Sequence, residues 1–261
     1  MNKTILLTFD VEEFDTPLRH KIRLSKEDQL HYGHLGLLAV MNLLDELGQP
    51  SCTFYTTANF ANHYPDSIRA LALHHEIASH TYYHSKFRNE DVLKSKLCLQ
   101  EIIQDKIYGF RMPNMAAFDK SLIKSSGYIY DSSINPTYIP GKYNNINTPI
   151  LPYKYYDILE LPTSVVPYCR FPLFWLSFKA LPLSLFIQLC NFSLHQTGFL
   201  NLYFHPWEFA NLSQFNIPNF IKNPCGEDLL EKLKKFVKYY QQKEGVEFSK
   251  SIDFVRSLEI K

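Results

Sequence analysis

From residue 4 to residue 130 the sequence alternates short apolar runs of strand character with longer stretches of helical periodicity. Strands are expected at residues 4–9, 51–56, 76–78, 108–110 and 128–130, and helices at 33–47, from 65 to about 74, and at 89–106 and 119–125. The 33–47 stretch is the clearest. Its apolar residues stand at 35, 37, 38, 40, 41, 43, 44 and 47, and Gly48 closes it. Repeated β-then-α units need parallel strands covered by helices, so the chain must build either an α/β barrel or an open doubly wound sheet. A length of 261 residues fits one such barrel. Residues 135–167 break the pattern with proline, tyrosine and asparagine and hold one expected strand, 158–161. Regular structure returns as a strand at Phe199–Phe204 and an amphipathic helix at 228–242. No internal repeat or domain boundary interrupts residues 1–261, which read as a single domain.

A formal net charge of +1 with interspersed signs leaves no footprint for nucleic acid. The five cysteines are odd in number, widely spaced and free of Cys-x-x-Cys pairs, which argues against a disulfide framework and against a cysteine-built zinc site. The N-terminal run reads as a first strand and not as a secretion signal, so a cytoplasmic protein is expected. Residues 171–190 are mostly Phe, Leu and Trp, but Pro172, Lys179 and Pro182 interrupt them, too early for a membrane-spanning helix. Two readings stay open for this segment: core or a cover over the site, or an interfacial contact for a lipid-linked substrate.

Four segments carry residue types suited to chemistry, each beside an expected strand end where α/β barrels build their sites. His80 and His84 lie four apart and would share one face of a helical turn, within reach of one metal ion. Catalytic zinc sites add a third protein ligand, and Asp10-Val11-Glu12-Glu13 offers carboxylates, with residues 10 and 12 on the same side of an extended chain. Arg111, in Gly109-Phe110-Arg111-Met112-Pro113, can pair with a site carboxylate and hold its orientation. His205 ends an apolar strand and is suited to protonating a leaving amine. Each segment alone also has a bland reading, as surface or packing residues.

In this order the segments resemble the NodB-homology polysaccharide deacetylases, carbohydrate esterase family 4. Thr8-Phe9-Asp10-Val11-Glu12 is similar to that family's Thr-Phe-Asp-Asp motif; His80, Thr81 and His84 match His-Ser/Thr-x-x-His; Arg111 and Pro113 match Arg-x-Pro; and Leu202 to His205 resembles the final Leu-x-His motif. Asp-Val-Glu-Glu, Tyr130 to Ile134, Leu161 to Ser164 and His-Pro-Trp-Glu look like a branch associated with exopolysaccharide and surface-glycan synthesis. The resemblance implies a distorted (β/α)7 barrel and removal of an N-acetyl group from a sugar. It implies a divalent metal, zinc first and cobalt or nickel as alternatives, on His80, His84 and Glu12, with Glu13 as the alternative carboxylate. Asp10 would act as base, kept ionised by Arg111, and His205 as acid, with Tyr82, Pro113 and Trp207 as candidates to face the sugar. Two departures bear on this. Asp-x-Glu replaces adjacent aspartates, and Asn114 stands where many members have tyrosine. The rival readings are hydrolysis of another non-peptide amide, such as a cyclic ureide, and a catalytically silent glycan-binding relative.

Overall fold

The computed structural model describes residues 3–259, so the first two residues of the N-terminal run lie outside the described residues. The chain runs β1 (Lys3–Val11), α1 (Thr16–Arg19), α2 (Lys26–Glu46), β2 (Cys52–Thr56), α3 (Ala58–His63), α4 (Pro65–Ala72), β3 (Glu76–Ser79), α5 (Asp91–Ile103), β4 (Gly109–Phe110), α6 (Ser121–Ser125) and β5 (Tyr130–Asp131). Four short strands follow, β6 (Tyr138–Ile139), β7 (Tyr143–Asn144), β8 (Tyr153–Tyr155) and β9 (Ile158–Glu160). The rest comprises α7 (Trp175–Ala180), α8 (Leu183–Thr197), β10 (Phe199–Phe204), α9 (Asn219–Lys222), α10 (Gly226–Gln241), β11 (Val246–Phe248) and α11 (Ser251–Glu259).

The main sheet has the order β10-β1-β2-β3-β4-β5-β9-β8. Every neighbouring pair from β10 to β9 is parallel, and only β8 runs antiparallel to its neighbour. The sheet curls as the expected distorted barrel does but closes only part-way, and its distortion has a location. No backbone ladder joins β8 or β9 to β10 among the described residues. Asn201 of β10 bridges that seam instead, donating from Nδ2 to the carbonyl oxygens of Leu161 and Pro162 at 3.1 and 3.2 Å while its backbone exchanges hydrogen bonds with Ser164. On the other side of β1, β2 pairs only from Leu7 onward, and β11 takes Lys3–Ile5.

Strand alternation in β1 separates two environments. Ile5, Leu7, Phe9 and Val11 face outward into the main core with Leu37, Val40 and Leu44 of α2, each worth roughly 1.5–3 kcal/mol when fully buried. Leu6, Thr8 and Asp10 face the barrel interior. Leu6 packs there with Tyr55, Tyr130, Phe199 and, from α11, Ile252 and Val255. The N-terminus of α11 is anchored to the barrel, where Ile252 N–H donates to the Glu76 carboxylate and Ser251 N–H to Thr53 Oγ1, at 2.9 and 2.8 Å. That end of the barrel is plugged.

Helix α2 starts seven residues before the expected 33. Ser25 caps it by accepting from Asp28 N–H at 3.0 Å, and Glu27 and Asp28 suit its first turn. Its early turns lack an apolar stripe because they meet the barrel through glycines: a Cβ on Gly33 would stand 2.6 Å from the Glu12 carbonyl oxygen, and one on Gly36 1.8 Å from that of Pro206. Residues 171–190 form not a loop but α7 and the first half of α8, with Phe178 and Phe186 packed on Phe204 and Phe236. No helix among the described residues is long and apolar enough to cross a membrane.

Candidate active site

The four chemical segments meet at the carboxyl ends of β1, β3, β4 and β10. Glu12, His80 and His84 are buried, and their ligand atoms lie within 4.8 Å of one another. His80 Nδ1–H donates to the Arg111 carbonyl oxygen and His84 Nδ1–H to Asp15 Oδ2, both at 2.8 Å. Both Nε2 atoms therefore converge on one carboxylate oxygen, Glu12 Oε2, at 3.2 and 2.9 Å. The other oxygen, Glu12 Oε1, accepts from the Trp207 indole N–H at 3.1 Å. Outer partners of this kind fix the tautomer and aim of metal-binding imidazoles.

The electrostatics fit a cation. Burial works against a charge on Glu12, yet His84, His205 and the hydrogen bond from His80 hold its carboxyl well below the usual range. Burial likewise disfavours protonated His84, but Glu12 and Asp15 push it up to about 10. The pocket favours positive charge between two imidazoles and a carboxylate, a donor set that matches zinc and its first-row neighbours.

Beside it, Arg111 is fully buried inside the barrel. Its Nη1 donates to Asp10 Oδ1 at 2.7 Å and Thr8 Oγ1 at 2.8 Å, its Nε to the Ser132 carbonyl oxygen at 3.0 Å, and its Nη2 to Ser132 Oγ at 2.9 Å. The guanidinium lies 3.9 Å over the Tyr55 ring. Asp10 is thereby held as one half of a buried ion pair with a fixed direction.

On the far side stands His205, whose Nδ1–H and backbone N–H both donate to Glu208 Oε1, at 3.0 and 2.8 Å. Burial disfavours its protonated form, but Glu12 and Glu208 outweigh this and raise its pKa above the ordinary histidine value. Trp207 stacks on the ring and Trp175 meets it edge-on, each with centroids 5.1 Å away. Met115, Phe174 and Tyr203, with Tyr143 and Trp175 packed against them, form an apolar wall alongside.

A family model described as polysaccharide deacetylase matches residues 1–129. Over that span, just under half of the chain, the sequence is similar to the polysaccharide deacetylase family. The match contains Asp10, Glu12, His80, His84 and Arg111 and ends before His205. Among solved structures, a Mycobacterium smegmatis protein assigned as a polysaccharide deacetylase is 19% identical over 100% of this chain and 92% of its own, with a TM-score of 0.70. An allantoinase is 17% identical over 99% of this chain and 90% of its own, with a TM-score of 0.68. A carbohydrate esterase family 4 pseudoenzyme from Bacillus anthracis is 10% identical over 97% of this chain and 65% of its own, with a TM-score of 0.53. At these identities the structures establish the fold alone. No curated protein sequence matches.

Within this site three expectations need correction. The His80–His84 pair is not carried on a helical turn: Thr81 takes a left-handed conformation, φ 64°, and an irregular loop brings the rings together. Tyr82 leaves the site for α3 and α5, where its hydroxyl accepts from Asn62 Nδ2 at 3.1 Å and Lys94 Nζ sits 4.6 Å over its ring. Trp207 is 2% exposed and orients Glu12, leaving Trp175 as the aromatic ring beside His205 at the cleft. Pro113 is buried and opens a short 3-10 turn that presents exposed Asn114, whose Nδ2 stands 3.4 Å from His84 Nε2. Glu13 accepts from Thr57 Oγ1 and Asn59 Nδ2 at 3.1 and 2.5 Å, away from the histidines. Asp15 was not singled out from sequence, and Thr8, Ser132 and Glu208 stood inside quoted motifs without being given a role. Glu208 had a signal, as the acid three residues after the strand-end histidine.

Proposed function

We propose that this chain is a metal-dependent N-deacetylase acting on an amino sugar of a surface glycan, an exopolysaccharide or its precursor. The observation that carries this reading is the convergence of Glu12 Oε2 and two histidine Nε2 atoms between an arginine-paired aspartate and a carboxylate-paired histidine. Glu12, His80 and His84 would hold a divalent ion, zinc by preference with cobalt or nickel as alternatives, which when bound would supply Lewis-acid polarisation of the amide carbonyl and a more acidic water. Asp10, aimed by Arg111, takes the proton of the attacking water. His205, with Nδ1 tied to Glu208, delivers a proton from Nε2 to the departing sugar nitrogen as the C–N bond breaks, giving acetate and a free amine. Trp175 and the wall of Met115, Phe174 and Tyr203 suit the apolar face of a sugar and the acetyl methyl. Phe174 and Trp175 border the site while Phe178 and Phe186 pack in the core, which supports the core-or-cover reading of residues 171–190 over a contact for a lipid-linked substrate.

The fold similarity to an allantoinase favours one second reading, hydrolysis of a cyclic ureide by the same groups. A silent glycan binder needs neither an acid nor a base, and this chain keeps candidates for both. The test is acetate release from N-acetylated sugars, chitooligosaccharides and nucleotide sugars, by wild type, Asp10→Asn and His80→Ala, with zinc or cobalt and with chelator. Metal-dependent release lost in both variants is the expected result. Ureide cleavage without acetate release would move the assignment to the second reading, and absence of metal binding would overturn both.

A further inference from the structure

Lys179 is the one charged residue between Phe171 and Cys190, the most apolar stretch of the sequence. Its side chain is 1% exposed, and its ammonium lies 3.3 Å from Glu208 Oε2. Lys179 Nζ also donates to the Ile221 carbonyl oxygen at 2.6 Å, and the Trp175 and Trp207 rings flank it at 5.6 and 6.0 Å. Glu208 is fully buried, and its Oε2 makes no hydrogen bond among the described residues. Its other oxygen holds His205. Lys232, from α10, turns to the carbonyl oxygens of Lys179 and Leu181 and not to Glu208. Asp10 of β1 and Glu12 just past its end also act on His205.

A buried carboxylate beside an imidazole can settle as a charged pair or, by moving one proton, as a neutral pair, and desolvation favours the neutral one. A lysine ammonium against the far oxygen tips the balance toward the charged pair. We propose that Lys179 is a positioning residue whose charge holds Glu208 as a carboxylate facing His205, so that the shared proton stays on His205 Nδ1 and Nε2 is left to serve the cleft. This rests on the reading of His205 as the proton donor. It also accounts for a desolvated lysine where a leucine or methionine would pack as well.

The experiment is NMR of ring-15N-histidine protein, with His205 assigned by its loss in His205→Gln, combined with steady-state acetate release. Wild type is compared with Lys179→Gln, which keeps a donor for the Ile221 oxygen but removes the charge, and with Lys179→Arg, which restores it. The expected result is a protonated Nδ1 in wild type, displaced toward the unprotonated shift in Lys179→Gln, with kcat down about tenfold, KM within about twofold and recovery of both signals in Lys179→Arg. An unchanged Nδ1 signal and kcat in folded Lys179→Gln would overturn the proposal. If that variant does not fold, Lys179→Arg must keep the wild-type signature and Glu208→Gln must lose it, and any other pattern overturns the proposal. Failure of the deacetylase reading is separable, because wild type would then release no acetate while Nδ1 still responded to Lys179→Gln.

Discussion

Replacing Glu76 with glutamine should change how stability depends on pH without touching the site. Glu76 begins β3 at the plugged end of the barrel, where it accepts from Tyr130 OH at 2.8 Å and from Thr53 Oγ1 and Ile252 N–H at 2.9 Å each. Burial outweighs these bonds and lifts its carboxyl from 4.5 to about 7. An acid raised in the folded state keeps its proton while the unfolded chain has already released its own. Its contribution is therefore complete below the unfolded value and falls as pH rises toward the folded one. The span of about 2.5 units, at 1.36 kcal/mol per unit, is about 3 kcal/mol. Its neighbour His75 runs the other way: burial takes its pKa from 6.5 down to about 4, so its contribution is present above the unfolded value and fades on acidification. The two slopes oppose each other in wild type, and Glu76→Gln should unmask a rise in stability with pH. Denaturant unfolding followed by tryptophan fluorescence, on metal-free protein between about pH 5 and 8, reads the difference between the two proteins. That difference should shrink by about 3 kcal/mol across the window. A difference constant with pH would refute the argument.

Gly36→Ala should lower melting temperature and kcat together, although alanine is the better helix former by about 1 kcal/mol, because its Cβ would stand 1.8 Å from the Pro206 carbonyl oxygen and force the His205 segment to shift. Overpacking of this kind costs about 1–3 kcal/mol, and thermal unfolding beside acetate release checks both effects. Asp15→Ala should weaken zinc binding about 10- to 100-fold by calorimetry, since it frees His84 Nδ1, while the global fold measured by circular dichroism stays intact. Arg111→Lys should destabilise the protein and depress kcat more than KM, because an ammonium cannot span Thr8, Asp10 and Ser132 as the guanidinium does. Denaturation with steady-state kinetics checks this.

Strands β1 to β5, β9 and β10 were legible because they are buried almost throughout and read as short apolar runs between turn signals, whereas the partly exposed β8 and β11 gave no such run. Nor were the paired helices α7 and α8 legible, because proline flanks and near-uniform hydrophobicity hide a 3.6-residue period. The candidate ligands were legible as residue types at a spacing, but not the geometry that unites them. The four-residue separation of His80 and His84 reads as a helix, whereas a left-handed Thr81 makes the approach. Asp15 gave no signal at all. It reaches His84 only because the chain turns into α1 just after β1 and brings residue 15 back over the loop that follows β3. Trp207 was expected at the sugar and Trp175 was given no role, because proximity in sequence to a functional histidine does not say which ring borders the cleft and which is turned onto Glu12.

The choice between Glu12 and Glu13 follows from strand parity, extended beyond the strand itself. Asp10 is still in the ladder, paired with Tyr55 of β2, and must point into the barrel with Thr8, where Arg111 meets it. Residue 12 inherits the same side, with its backbone pressed under Gly33 and its carboxylate oriented by Trp207. Residue 13 falls on the opposite side, against Thr57 and Asn59 at the start of α3. Two acids on one side of an extended chain, one inside the ladder and one just past it, are carried to different depths. The inner one reaches the barrel's arginine and the outer one reaches the two histidines. Adjacent acids on a regular strand would face opposite sides, so the Asp-x-Glu spacing lets both carboxylates serve one pocket without leaving the strand's regular geometry.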